Sequence, residues 1–186
     1  MKAERAVEKV RERLLRTARA LEQAGIPFAV VGGNAVAIWV ESVDSGATRN
    51  TRDVDILISR ADLQAVTTAM VDAGFMRQDV HGLTMFLDRE DPMPSRGVHV
   101  VFAGEPVRPE YQHPAPDIQN VKWSPEGVPA VGLAELVAMK LTSFRDLDRV
   151  HIRDMLRVGL IGPDWVDRVP PALRPRLEEI LADPDG

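Results

Sequence analysis

The chain has 186 residues, of which 45% are hydrophobic and 27% charged, and it carries a formal net charge of -5 and no cysteine. This length suits one domain, or one domain with a small appendage. The missing cysteine excludes disulfides, thiolate zinc sites and thiol nucleophiles, and the acidic balance argues against a protein built to coat nucleic acid.

Residues 3–24 form an amphipathic helix pattern: Val7, Val10, Leu14, Ala18 and Leu21 recur at steps of three and four, and Gly25 stops the run. The alternation of charge through this segment is unlike a signal-peptide core. No apolar run approaches the roughly 20 residues of a membrane span, so a cytoplasmic location without membrane contact is expected. Residues 27–31 read as a buried strand, broken by Gly32-Gly33, and a short helix is expected over residues 34–41. A polar loop at 44–50 leads to a second strand at 53–58. Ser59 can cap a helix over residues 60–72, closed by Gly74. Residues 75–80 and 83–88 read as a hairpin about His81-Gly82, and residues 98–102 as a further strand. A proline-rich loop at 104–116, carrying Arg108 and Tyr111, has the length of a functional loop and could border an acceptor. Short extended pieces at 119–123 and 128–131 precede helices at 133–146, 148–159 and 171–182. The layout is a mixed α/β core with its N-terminal helix over residues 1–130, then a helical part over 131–186, separate or continuous with the core.

Three features carry chemistry. Gly32 and Gly33, between a buried strand and a helix, permit a tight turn and a close ligand approach; helix-start amides suit phosphate, although a bare turn needs no ligand. Asp53 and Asp55 stand two apart in a strand and so share a face. Paired carboxylates repel unless a cation lies between them, and oxygen ligands suit Mg²⁺ or Mn²⁺ with the phosphates of a nucleotide. Lys140 is one of four lysines in the chain and lies on the apolar stripe of Leu133, Leu136, Val137, Leu141 and Phe144. A lysine there either snorkels to water or meets an anion. Asp154 lies one turn after His151, a spacing that also describes a plain surface pair.

Val30-Val31-Gly32-Gly33-Asn34-Ala35 followed by Thr51-Arg52-Asp53-Val54-Asp55-Ile56 resembles the nucleotidyltransferase superfamily, in which a glycine turn precedes an apolar-Asp-apolar-Asp-apolar strand. Leu136-Val137-Ala138-Met139-Lys140-Leu141, with Arg153-Asp154, resembles the AbiEii-type branch, which includes toxins of type IV toxin–antitoxin systems. The resemblance spans roughly residues 26 to 157. It implies an α+β fold: a nucleotidyltransferase-like mixed sheet flanked by helices, with a C-terminal helical part. It implies an enzyme that moves an NMP from an NTP to an RNA (tRNA among them) or protein hydroxyl, with a cognate antitoxin as a further partner. Asp53 and Asp55 would hold Mg²⁺ or Mn²⁺. Gly32, Gly33, Asn34 and Arg52 would line the nucleotide, Lys140 would bind phosphate, and Asp154 would complete the site.

Two positions depart from the pattern. Many relatives carry a third carboxylate on the strand that matches residues 98–102, where this chain offers His99, and many carry serine where Asn34 stands. A histidine suits Mn²⁺ or Zn²⁺ better than Mg²⁺, can take a proton near neutral pH, or can be a plain core residue. This motivates a second reading, a nucleotide-binding or partner-binding module of the same fold that has lost turnover. A third, a purely structural domain, requires the Asp pair to be coincidental.

Overall fold

The computed structural model describes residues 2–49 and 51–186, and side chains from residue 7 onward. Helix α1 (Lys2–Gln23) ends at Gly25, whose φ of 66° turns the chain into strand β1 (Phe28–Val31). Helix α2 (Gly32–Glu41) starts directly from that strand. Both glycines therefore lie in its first turn, two residues earlier than the helix expected from Asn34. Strand β2 (Val54–Ile58) follows, then helix α3 (Leu63–Asp72), entered through a 3-10 turn at Arg60–Asp62 in which the Ser59 hydroxyl accepts from the Ala61 amide (3.3 Å). Strands β3 (Phe75–Val80) and β4 (Leu83–Asp88) form the expected hairpin. Its two-residue turn places His81 and Gly82 at φ of 50° and 79°, as a turn matched to strand twist requires. Strand β5 (Val98–Phe102) matches expectation, and the extended pieces shorten to β6 (Lys122–Trp123) and β7 (Pro129–Ala130). Helices α4 (Leu133–Ser143), α5 (Asp146–Arg157) and α6 (Arg174–Ala182) complete the chain.

The seven strands make one mixed sheet in the order β3-β4-β5-β2-β1-β7-β6. Strand β2 runs parallel to β5 and antiparallel to β1, and β7 runs parallel to β1. Alternation along the strands divides the core into two layers. Val30, Ile56, Ile58, Val98 and Val100 pack against Leu14 and Leu21 of α1 and Val66 and Met70 of α3. Ala29, Val31, Leu57 and Ala130 face the other way, against Val36 of α2, Leu136, Val137 and Leu141 of α4, and Ile152 of α5. The C-terminal helices thus share one apolar layer with the sheet. No described helix is long and apolar enough to cross a membrane.

One end of the sheet assembles the site. Strand β1 ends there, while β2 and β5 begin there. The register sets Val31 opposite Asp55, and Asp55 opposite His99. Three adjacent strands therefore bring the start of α2, one carboxylate and one imidazole into a single row.

Candidate active site

Asp55 is the second residue of β2, and its side chain points to the face that carries the C-terminal helices. Asp53 precedes the strand, and its backbone is tethered: Asn34 Nδ2 donates to the Asp53 carbonyl (2.7 Å), while Thr51 Oγ1 donates to Asn34 Oδ1 (3.1 Å). Asn34 is buried, and its amide is committed to holding the loop that presents Asp53.

Asp53, Asp55 and His99 each offer a ligand atom within 4.8 Å of the other two. His99 Nδ1 lies 3.5 Å from an Asp55 oxygen and 3.7 Å from an Asp53 oxygen. The other ring nitrogen, Nε2, lies 3.2 Å from the Pro94 carbonyl and donates to it. That bond leaves Nδ1 as the atom facing the carboxylates. A second-nitrogen bond to a backbone carbonyl is how metal-binding imidazoles are usually oriented, so the three residues fit a divalent cation. The Asp55 hydrogen bond raises the His99 pKa; partial burial works against it, and the Asp53 charge adds to the rise.

Gly32 explains why the acids can sit so close to α2. Its φ is 66°, and a Cβ there would lie 2.9 Å from Asp55 Cγ. The missing side chain makes room for the Asp55 carboxylate itself, beyond any ligand. Gly33 is similarly pressed: a Cβ would meet the Thr51 side chain and come within 3.6 Å of His151 Cε1.

Gly32, Asp55 and His99 line a cavity of about 250 Å³, and Lys140 of α4 lines it too. Helix α4 turns Lys140 inward with its apolar stripe, leaving it buried, and Nζ donates to Asp148 Oδ1 at 2.9 Å. Asp148 is wholly buried, which by itself disfavours its charge. Hydrogen bonds from Arg145, Ser143 and Lys140 outweigh that and hold its pKa well below the usual carboxylate range.

A family model described as an uncharacterised nucleotidyltransferase matches residues 2–135. The chain belongs to this nucleotidyltransferase family. No curated protein matches it in sequence. The fold is similar to that of the antibiotic-resistance factor ANT(2'')-Ia in solution, at 12% identity over 94% of this chain and 96% of that one, with a TM-score of 0.59. It is also similar to ANT(2'')-Ia in complex with adenylyl-2''-tobramycin (12%, 87% and 95%, TM-score 0.55). An antigenic nucleotidyltransferase-like protein from Paracoccidioides brasiliensis is a third neighbour (16%, 82% and 76%, TM-score 0.52). At these identities the likeness is one of fold.

Of the residues singled out in the nucleotidyltransferase sequence, Asp53, Asp55, His99, Gly32 and Lys140 converge on the cavity or its rim. Arg52 is exposed beside Asp53. Asp154 does not line the cavity: it is buried in α5 and accepts from Arg49 and from Arg157 Nη1 (3.3 Å). Through Arg49 it ties α5 to the loop that follows α2. The sequence reading missed Asp148 and Arg145. Their only sequence signal is an acidic residue three positions into a helix, and that signal depends on knowing that α4 breaks at Phe144, which takes the left-handed conformation (φ 50°, ψ 30°). Tyr111 lines the cavity from the 104–116 loop, where the sequence placed a border.

Proposed function

We propose that the protein moves a nucleoside monophosphate from a metal-bound NTP to an acceptor hydroxyl. One observation carries this reading: Asp53, Asp55 and His99 converge at the start of α2, on a cavity whose wall includes a buried lysine. The acceptor oxygen attacks the α-phosphorus, the bond to the β-phosphate oxygen breaks, and pyrophosphate leaves. The proton of the hydroxyl goes to the carboxylate cluster. Bound Mg²⁺ or Mn²⁺ would draw nucleophile and phosphate together and offset developing charge. Asp53, Asp55 and His99 Nδ1 would hold it. The unpaired amides at the start of α2, at Gly32 and Gly33, offer donors to phosphate oxygens. Lys140 contributes positive charge to the same wall, and Arg52 approaches from the exposed side. Asn34 acts at one remove, by positioning the segment that carries Asp53, and Asp154 by tying α5 to the loop that follows α2.

The likeness of residues 136–141 and 153–154 to the AbiEii-type branch supports a toxin-like enzyme, with an RNA or protein acceptor and a cognate antitoxin. The adenylyl-2''-tobramycin bound to one structural neighbour makes a small-molecule hydroxyl the third acceptor class to test. Purified protein incubated with α-labelled NTPs, Mg²⁺ or Mn²⁺, and each acceptor class in turn should transfer label. Asp53→Asn and Asp55→Asn should abolish that transfer. Absence of Asp-dependent transfer to every acceptor contradicts catalysis. His99, in a position where relatives hold an acid, favours one alternative: a nucleotide-binding module without turnover. Metal-dependent NTP binding with no label transfer would select it.

A further inference from the structure

Asp148 receives more hydrogen bonds than one structural ion pair needs. Besides Lys140 Nζ (2.9 Å), it accepts from Ser143 Oγ (2.7 Å), the Arg145 amide (3.2 Å), and Arg145 Nε (2.8 Å) and Nη2 (3.4 Å). One carboxylate thus faces two full positive charges, and the cluster carries one uncompensated positive charge in the cavity wall. The two cations are not equivalent. The Lys140 side chain is 6% exposed and that of Arg145 58%. A guanidinium has five N–H donors; two are spent on Asp148, which leaves the outer edge unspent. Arg145, Asp55, His99 and Tyr111 all line the same cavity, so the guanidinium shares it with the acid cluster and the long loop. The Asp148 fork also fixes its plane in advance, which lowers the ordering cost of binding an anion.

We propose that Arg145 is the phosphate-recognising cation of the nucleotide site, and that Lys140 is the buried counter-charge that keeps Asp148 ionised as its anchor. This rests on the nucleotide reading above. A charge-assisted bond of this kind corresponds to roughly tenfold or more in affinity. The probe is magnesium tripolyphosphate, which carries the phosphate chain without a base, titrated calorimetrically alongside MgATP and adenosine. Wild-type protein should bind tripolyphosphate and MgATP. Arg145→Ala should weaken both roughly tenfold or more and leave adenosine unchanged, with thermal unfolding close to wild type because Lys140 and Ser143 still serve Asp148. Arg145→Gln removes the charge while keeping a donor for Asp148, so it should show the same loss even if the alanine variant folds poorly. Tripolyphosphate and MgATP binding that survives both substitutions overturns the proposal and leaves the nucleotide reading standing. Wild-type protein that binds neither overturns both.

Discussion

Gly32 and Asp55 form one unit, because the carboxylate occupies the space that a side chain at 32 would fill. Gly32→Ala adds a left-handed strain and a collision with Asp55. It should lower stability by about 1–3 kcal/mol in urea unfolding and weaken Mn²⁺ binding with it. The pair was legible in the sequence because glycine and paired aspartates signal through residue type and spacing alone. The reason assigned there, room for a ligand, was incomplete: the nearest occupant is the chain's own carboxylate. Lys140 was legible as an inward lysine, but its partner was not, because Asp148 lies eight residues on and across a helix break. Lys140→Met strips Asp148 of one of its two cations while it stays buried. Removing one partner of a buried pair costs about 3–5 kcal/mol, and urea unfolding at pH 7 should register a loss approaching that range. A variant as stable as wild type would mean that Arg145 and Ser143 satisfy Asp148 unaided.

At the scale of elements, strands and hairpin were the most readable, since Gly74, Gly82 and Gly97 punctuate β3, β4 and β5. The break between α4 and α5 was misplaced by about three residues. It turns on Phe144, a residue type with no propensity for the left-handed conformation it adopts, held by contacts in which Arg149 lies over its ring at 4.1 Å. The 3-10 turn at Pro163–Asp167, which seats Trp165, has no periodicity to read. Helix α5 also supplies a pH dependence. Burial, reinforced by the positive charge of Lys140, lowers the His151 pKa to about 4, and its Nδ1 is buried without a hydrogen-bond partner. The folded value lies below the unfolded 6.5, so between these values the unfolded chain binds more protons. Stability present above pH 6.5 is therefore lost as pH falls toward 4, by up to about 3 kcal/mol from this group. Urea unfolding at pH 7.5 and 4.5 should show the loss, and His151→Phe should reduce it. An equal loss in the variant would assign the pH dependence to other groups.

Across the whole molecule, the sheet and its two apolar layers exist to set three short segments side by side: the end of β1 with the start of α2, the start of β2, and the start of β5. The alternation of Val54, Ile56 and Ile58 with Asp55 and Leu57 already implied a strand buried on both faces with its acids at one end. The family resemblance pointed to the strand at 98–102 for the third ligand, but residue pattern alone did not reveal the pairing, because the parallel register of β2 with β5 joins residues more than 40 positions apart. That pairing is what brings His99 to the carboxylates. Calorimetric titration of the protein with ATP, with and without Mn²⁺, tests the central claim most directly. Binding should require the metal and be lost in Asp55→Asn, while thermal unfolding shows the variant folded. ATP binding that is as tight without metal, or undiminished in Asp55→Asn, would contradict a metal–nucleotide site at this end of the sheet.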